Sequence, residues 1–199
     1  MAVPLKYPLV LASASPRRAA LLREWGYDFE VVPAFFDEPS RSADLRLSPA
    51  LWAEALAYYK AMAVAPHRRD AIIVGADTIV EYSGQVVGKP RDEADARRIL
   101  TTQFGGRNDV ITGLAVLLPL RQRRIITHEV TTLDMRPMTP DELDDWLASG
   151  AWQGKAGAYA LQEGGDRFVK SMVGSESNVV GLPLEKLAQA LEQIQRDHE

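Results

Sequence analysis

Three acids, three lysines and one hydroxyl-rich turn hold most of the chemistry that this chain can offer. Asp77 lies within Ala71-Ile-Ile-Val-Gly-Ala-Asp-Thr-Ile-Val80, where five residues are Ile or Val; such a run reads as a buried strand. A carboxylate there needs a partner, a cation or the solvent of a cleft. Acids so placed serve as metal ligands or general bases, although an acid that merely ends a strand and caps a turn would look the same. Asp37 and Glu38 follow the aromatic pair Phe35-Phe36, and Lys60, Lys89 and Lys155 complete the charged set. The turn is Ser13-Ala-Ser-Pro-Arg-Arg18. Ser15 suits an N-cap and Pro16 the first helical position. Free N–H groups at that helix start, two serines and two arginines together read as a phosphate site. A capped surface helix with solvated arginines is the other reading.

These groups suit one kind of substrate. Acids hold Mg²⁺ through oxygen, Mg²⁺ bridges to phosphates, and lysines and arginines neutralise the remaining charge. A polyphosphate compound therefore fits. Neither a Walker A sequence nor Gly-x-Gly-x-x-Gly occurs, so a P-loop or a Rossmann cofactor site has no support. His67, His128 and His198 are scattered without ligand spacing, which argues against a histidine zinc site or a Ser-His triad. The absence of cysteine excludes disulfides and thiol chemistry.

The groups fall at the ends of expected elements. Leu9–Ala12 reads as a strand, and the turn after it leads into a helix stopping at Gly26. Phe29–Val32 reads as a second strand, and 40–47 as a polar loop. Ser48-Pro49 opens a helix to about Val64, with Leu51, Ala55, Tyr58 and Met62 as its stripe and Lys60 off it. After the Asp77 strand, a hairpin turning at Ser83-Gly84 is expected, then a helix from Asp92 to Leu100 and a loop over 101–109. Val110–Leu118 and Arg124–Leu133 read as a second hairpin. Thr139-Pro-Asp-Glu142 is a capping box whose helix ends near Gly150. A glycine-rich segment, Gly154–Gln162, a strand over 168–172 and an amphipathic helix from Leu184 complete the chain. The mixture implies an α/β fold with a mixed sheet, and loops at strand ends are where ligands bind in such sheets.

At 199 residues, with 46% hydrophobic and 25% charged residues, the chain can bury a core as one domain or one domain with two lobes. A net charge of −4 argues against nucleic acid as a partner. No apolar run approaches membrane-spanning length and the first residues lack a signal-peptide pattern, so a cytoplasmic location without membrane association is expected.

Ser13-Ala-Ser-Pro-Arg-Arg18, Asp37-Glu38, Gly75-Ala-Asp-Thr78, Gly88-Lys-Pro90, Gly154-Lys-Ala-Gly-Ala-Tyr159 and Asn178-Val-Val-Gly-Leu-Pro-Leu184 together resemble the motifs of the Maf family of nucleoside triphosphate pyrophosphatases. The resemblance runs from about Leu9 to Leu187. It implies one domain over residues 1–199: an elongated, twisted mixed sheet flanked by helices, with two lobes around a cleft, similar to the inosine triphosphate pyrophosphatase fold. It also implies hydrolysis of a nucleoside triphosphate to monophosphate and pyrophosphate with a divalent cation, Mg²⁺ or Mn²⁺, and a homodimer.

By the same resemblance Asp77 is the proton acceptor, Glu38 and Asp77 are metal-site acids, and Ser13, Arg18, Lys60 and Lys89 bind phosphate. Arg17, Thr78 and Gln162 match the specificity positions of the dTTP/UTP subfamily. The sister subfamily acting on 7-methyl-GTP has Ser-Asp-Gln in place of Ala76-Asp77-Thr78. A glutamine amide offers a donor and an acceptor to the imide edge of thymine or uracil, and Arg17 offers further donors. Strand alternation points Thr78 away from Asp77, which suits a role in positioning backbone. The chain departs from the family pattern at Ala160-Leu-Gln-Glu163, where Gly-Ile-Gln-Gly is usual, at Gly150-Ala151, and around Asn108. The alternative to an enzyme is a nucleotide-binding regulator of cell division that uses the same motifs for binding alone.

Overall fold

The computed structural model describes residues 2–35 and 47–196. Asp37, Glu38, His198 and all of the expected polar loop except Leu47 lie outside the described residues. In chain order the elements are β1 (Leu9–Leu11), α1 (Pro16–Glu24), β2 (Glu30–Val31), α2 (Pro49–Val64), β3 (Ile72–Tyr82), β4 (Gln85–Val87), α3 (Glu93–Gln103), β5 (Arg107–Leu118), β6 (Arg123–Met135), α4 (Pro140–Ala148), β7 (Val169–Val173), α5 (Glu176–Val180) and α6 (Leu184–Ile194), with short 3₁₀ turns among them. The strands form one seven-stranded sheet in the order β2-β1-β3-β5-β6-β7, with β4 paired to β3 off that path. β1 runs parallel to β2 and β3, whereas β3–β4 and β6–β7 are antiparallel, so the sheet is mixed and the fold α/β, as expected. No helix of the described residues is long and apolar enough to cross a membrane.

Local chemistry sets the element starts. Ser15, Ser48, Asp92 and Thr139 each accept a first-turn backbone N–H and cap α1, α2, α3 and α4. At Thr139 the capping box is complete, because Glu142 also accepts the Thr139 N–H at 3.0 Å. Ser83 and Gly84 have φ of 52° and 78°, the positive pair that a tight β3–β4 hairpin of right-handed twist requires. The loop expected from Thr101 is instead the last turn of α3. Thr101 and Thr102 bond their hydroxyls back to the carbonyls of Arg97 and Arg98, which lets the helix continue to Gln103. Short α5 carries no strong periodicity and was not expected.

The chain divides into two compact units, one of Met1–Asp77, Thr112–Glu129 and Gly181–Glu199, the other of Thr78–Ile111 and Val130–Val180. In the first unit Val10, Ala12, Ala57, Ala61, Val64, Ile73, Ala115 and Leu117 pack together in one cluster rich in small residues, while Leu11, Leu22, Leu56, Ile72, Leu114 and Leu187 are also buried there. The α2 stripe expected from Leu51, Ala55, Tyr58 and Met62 is not the buried face, for Leu51 is 50% and Met62 42% exposed. Trp52, Ala53, Leu56, Ala57, Ala61 and Val64 are buried instead. The cause lies in the strands beneath. A Cβ on Gly75 would stand 2.2 Å from the Ala57 carbonyl oxygen, and one on Gly113 2.1 Å from that of Ala53. Bare glycine backbone lets the alanine face of α2 descend until the main chains touch.

The second unit has an aromatic core in which Phe104, Trp146, Trp152, Tyr159 and Phe168 are all buried. Phe168 meets Phe104 edge-on at 5.5 Å and Trp146 at 5.8 Å between ring centroids, the geometry that ring quadrupoles favour. Outside this core, Asp95 is clamped by Arg98 at 2.7 Å and Arg91 at 3.1 Å.

Candidate active site

Ser13 follows β1 directly. The Ala12 N–H donates to the Val74 carbonyl at 2.8 Å and holds the end of β1 against β3. The Ser13 side chain, 5% exposed, accepts the Ser15 N–H and an Arg18 Nη1–H, each at 3.2 Å. A hydroxyl has two acceptor positions and one proton, so with both acceptor positions used it presents its O–H as a donor. Arg18, in the first turn of α1, is fixed at its other edge by donating Nε–H to the Gly181 carbonyl at 2.7 Å. Burial pulls the Arg18 guanidinium below its ordinary pKa, Asp77 opposes that effect, and the like charge of Arg17 adds to it.

Asp77 is 8% exposed and stands two residues beyond Gly75, on the face of β3 that meets α2. Lys60 leaves α2 between Ala57 and Ala61 and donates its ammonium to Asp77 Oδ1. The Lys60 and Asp77 side chains are 18% and 12% exposed, so each charge is partly desolvated and relies on the other. The close approach of α2 to Gly75 is what allows a lysine on this helix to reach a carboxylate on this strand.

One unit thus brings together Ser13, Arg18, Lys60 and Asp77, with half-buried Arg17 beside Arg18. Two cations and a hydroxyl donor around a single carboxylate favour an anionic ligand with several oxygens. As to a divalent cation, no group of three or more His, Cys, Asp or Glu suited to hold one occurs among the described residues. Asp77 supplies one carboxylate, which suits Mg²⁺ when phosphate oxygens complete the shell, so the donor set fits a substrate-bridged ion.

Of the remaining candidates, Thr78, Lys89, Lys155 and Gln162 belong to the second unit. Thr78 is half-buried and alternates to the opposite face of β3 from Asp77. Lys89 is exposed after β4, and Gln162 is exposed in the short turn Leu161–Glu163. Gln162 borders an open depression with Asp166, Lys170, Ser171 and Glu176. Lys155 donates its ammonium to the Ala151 carbonyl at 2.6 Å and thereby serves its own segment. Glu38 lies outside the described residues. Two contributors escaped sequence reasoning. They are the Gly181 carbonyl that anchors Arg18 and Gly113 under α2. Glycines inside a strand or motif were the available signal, since they mark close backbone approach.

A family model described as Maf-like protein matches residues 8–194. The chain is 40% identical over 186 residues to a dTTP/UTP pyrophosphatase of Pelotomaculum thermopropionicum, covering 94% of this chain and 96% of that protein. It is 43% identical over 183 residues to a dTTP/UTP pyrophosphatase of Moorella thermoacetica, covering 92% and 93% respectively. Among solved structures, a HAM1 protein from Coxiella burnetii is similar with a TM-score of 0.51 at 13% identity, over 94% of this chain and 99% of that one. That likeness is one of fold.

Proposed function

Because the chain belongs to the Maf-like protein family, we infer that it is a nucleoside triphosphate pyrophosphatase acting on dTTP and UTP. The reaction adds water to the α-phosphorus and breaks the bond to the β-phosphate oxygen, giving the monophosphate and pyrophosphate. The observation that carries this reading to named residues is the buried pair of Lys60 and Asp77 in one cluster with Ser13 and Arg18.

Asp77 takes the proton of the attacking water, the one role in the cluster that needs an acceptor. Lys60 holds the carboxylate until substrate arrives and then shares its charge with the phosphates. Arg18, pinned by Ser13 and Gly181, meets the substrate without rearranging, so its charge is preorganised for the oxygen that gains charge as the bond breaks. Ser13 donates its O–H to a phosphate oxygen. The resemblance assigns Lys89 a further phosphate contact and Gln162 and Arg17 the pyrimidine edge. Thr78 keeps the backbone beside Asp77 in place. A divalent cation held by Asp77, and by Glu38 on the resemblance, would neutralise phosphate charge and polarise the reacting phosphoryl group. A triphosphate substrate suits a cytoplasmic enzyme.

The test is a panel of triphosphates scored by pyrophosphate release from the purified protein, with Mg²⁺, with Mn²⁺ and with chelator. Metal-dependent release from dTTP and UTP well above purine triphosphates is expected. Tight binding without turnover across the panel would overturn the enzyme in favour of a nucleotide-binding regulator.

A further inference from the structure

Gln103 ends α3 and is 1% exposed, inside the aromatic core of the second unit. An amide so deeply buried is unfavourable unless its polar atoms are used. Its Nε2–H donates to the Gly157 carbonyl. Its main-chain carbonyl accepts the side-chain N–H of Asn108, itself fully buried, at 3.3 Å, which secures the end of the helix, whereas its side-chain Oε1 is buried without a hydrogen-bond partner among the described residues. Gly157 then passes the connection on, for its N–H donates to the Gly88 carbonyl at 3.2 Å. Gly88 directly precedes Lys89. On the other side, Ala158 has a φ of 60°, unusual for a residue with a Cβ, and its carbonyl accepts the Trp146 indole N–H at 3.0 Å. Beyond it the Gly165 N–H donates to the Ala160 carbonyl at 3.0 Å and closes the turn that presents Gln162. The packing leaves little freedom. A Cβ on Gly157 would meet Tyr159 and Val80 at 3.2 Å and Gln103 Nε2 at 3.3 Å.

We propose that Gln103 is a positioning residue for substrate recognition: through Gly157 its amide holds the Lys89 segment and the Gln162 turn in one fixed register. The proposal rests on the roles given above to Lys89 and Gln162. An apolar residue would fill this core without burying an amide, so packing alone does not call for glutamine. Strained backbone such as that at Ala158 persists where its surroundings over-determine it, and Gln103 and Trp146 grip the two successive carbonyls there.

The test uses Gln103→Met, which keeps the length and removes the N–H, and Gln103→Glu, which sets a carboxylate against the Gly157 carbonyl. In both, KM for UTP should rise about tenfold with kcat within about threefold, and the preference for UTP over GTP should shrink, the pattern of lost binding register rather than lost chemistry. In Gln103→Glu the defect should deepen as pH rises, because the protonated acid can still donate to the carbonyl. Independently of turnover, hydrogen exchange at the Gly157 amide and the Trp146 indole should quicken about tenfold in either variant, by the loss of one hydrogen bond, while β1 amides keep their protection. Wild-type KM and base preference in a folded variant would overturn the proposal, as would unchanged exchange at Gly157. Should the wild type release no pyrophosphate, the functional reading fails by itself, and the exchange data still decide whether Gln103 couples the two segments.

Discussion

Asp77→Asn keeps the volume of the side chain and removes its charge and its capacity to take a proton. We expect kcat for dTTP to fall by about 10²–10⁴, the range of a lost general base, with the fold intact but the unfolding midpoint lowered, because the partly buried Lys60 ammonium loses its counter-charge. A variant that releases pyrophosphate at the wild-type rate would refute the assignment. Lys60→Met should act on both properties. It leaves the Asp77 carboxylate partly buried without its partner, at about 1–3 kcal/mol of stability, and raises KM through the lost phosphate contact. Thermal unfolding and steady-state kinetics on one preparation check both. Asp77 was legible in the sequence because an acid interrupting an Ile/Val run demands explanation. Its pairing with Lys60 was not, because a lysine off an apparent apolar stripe looks solvated until the helix face is known.

At the scale of elements, the fit of α2 onto β3 and β5 decides whether Lys60 reaches Asp77. Gly75→Ala would drive a methyl group to within 2.2 Å of the Ala57 carbonyl, so the helix must lift. We expect a loss of about 2–4 kcal/mol, seen as a fall of roughly 4–16 °C in the unfolding midpoint, together with weakened activity. An unchanged midpoint would show that the helix tolerates the displacement. Helix starts were well read from sequence, since Ser15, Ser48, Asp92 and Thr139 act through their nearest neighbours alone. The buried face of α2 was misread because ranking by hydrophobicity favours Leu51, Tyr58 and Met62 over Ala53, Ala57 and Ala61. What decides is space, and that is set by Gly75 and Gly113, distant in sequence. The end of α3 was misplaced for a related reason, as threonines read as loop formers instead bond back to the helix.

For the whole molecule, two clamped carboxylates shape the response to acid. Hydrogen bonds from Arg98 and then Arg91 hold Asp95 at about 2, below its ordinary 3.8. Arg136, followed by the Thr139 N–H, holds Glu142 at about 2 against 4.5. A pKa lowered on folding means stability that is fully present above the unfolded value and is lost as pH falls through the folded one. Between about pH 4.5 and 2 the unfolding midpoint should therefore drop, and Asp95→Asn should flatten that slope while lowering the midpoint at pH 7. Parallel slopes for wild type and variant would remove Asp95 from the account. At this scale the α/β class and mixed sheet were legible from the alternation of strand and helix patterns. The boundaries of the two units were not, because β3, β5 and β6 each run through both and no linker marks a boundary.

The contact of α2 with Gly75 and Gly113 also acts as a mechanical stop. Where main chain rests on main chain, the separation is set by atomic radii, and no rotamer change can take up slack. The root of Lys60 is thereby fixed relative to β3, while the flexible methylenes above it remain free to swing the ammonium from carboxylate to phosphate. Ala53, Ala57 and Ala61 are consequently positions with an upper size limit. Drift in side-chain volume that an ordinary leucine core absorbs by repacking would here translate directly into a shift of the cation.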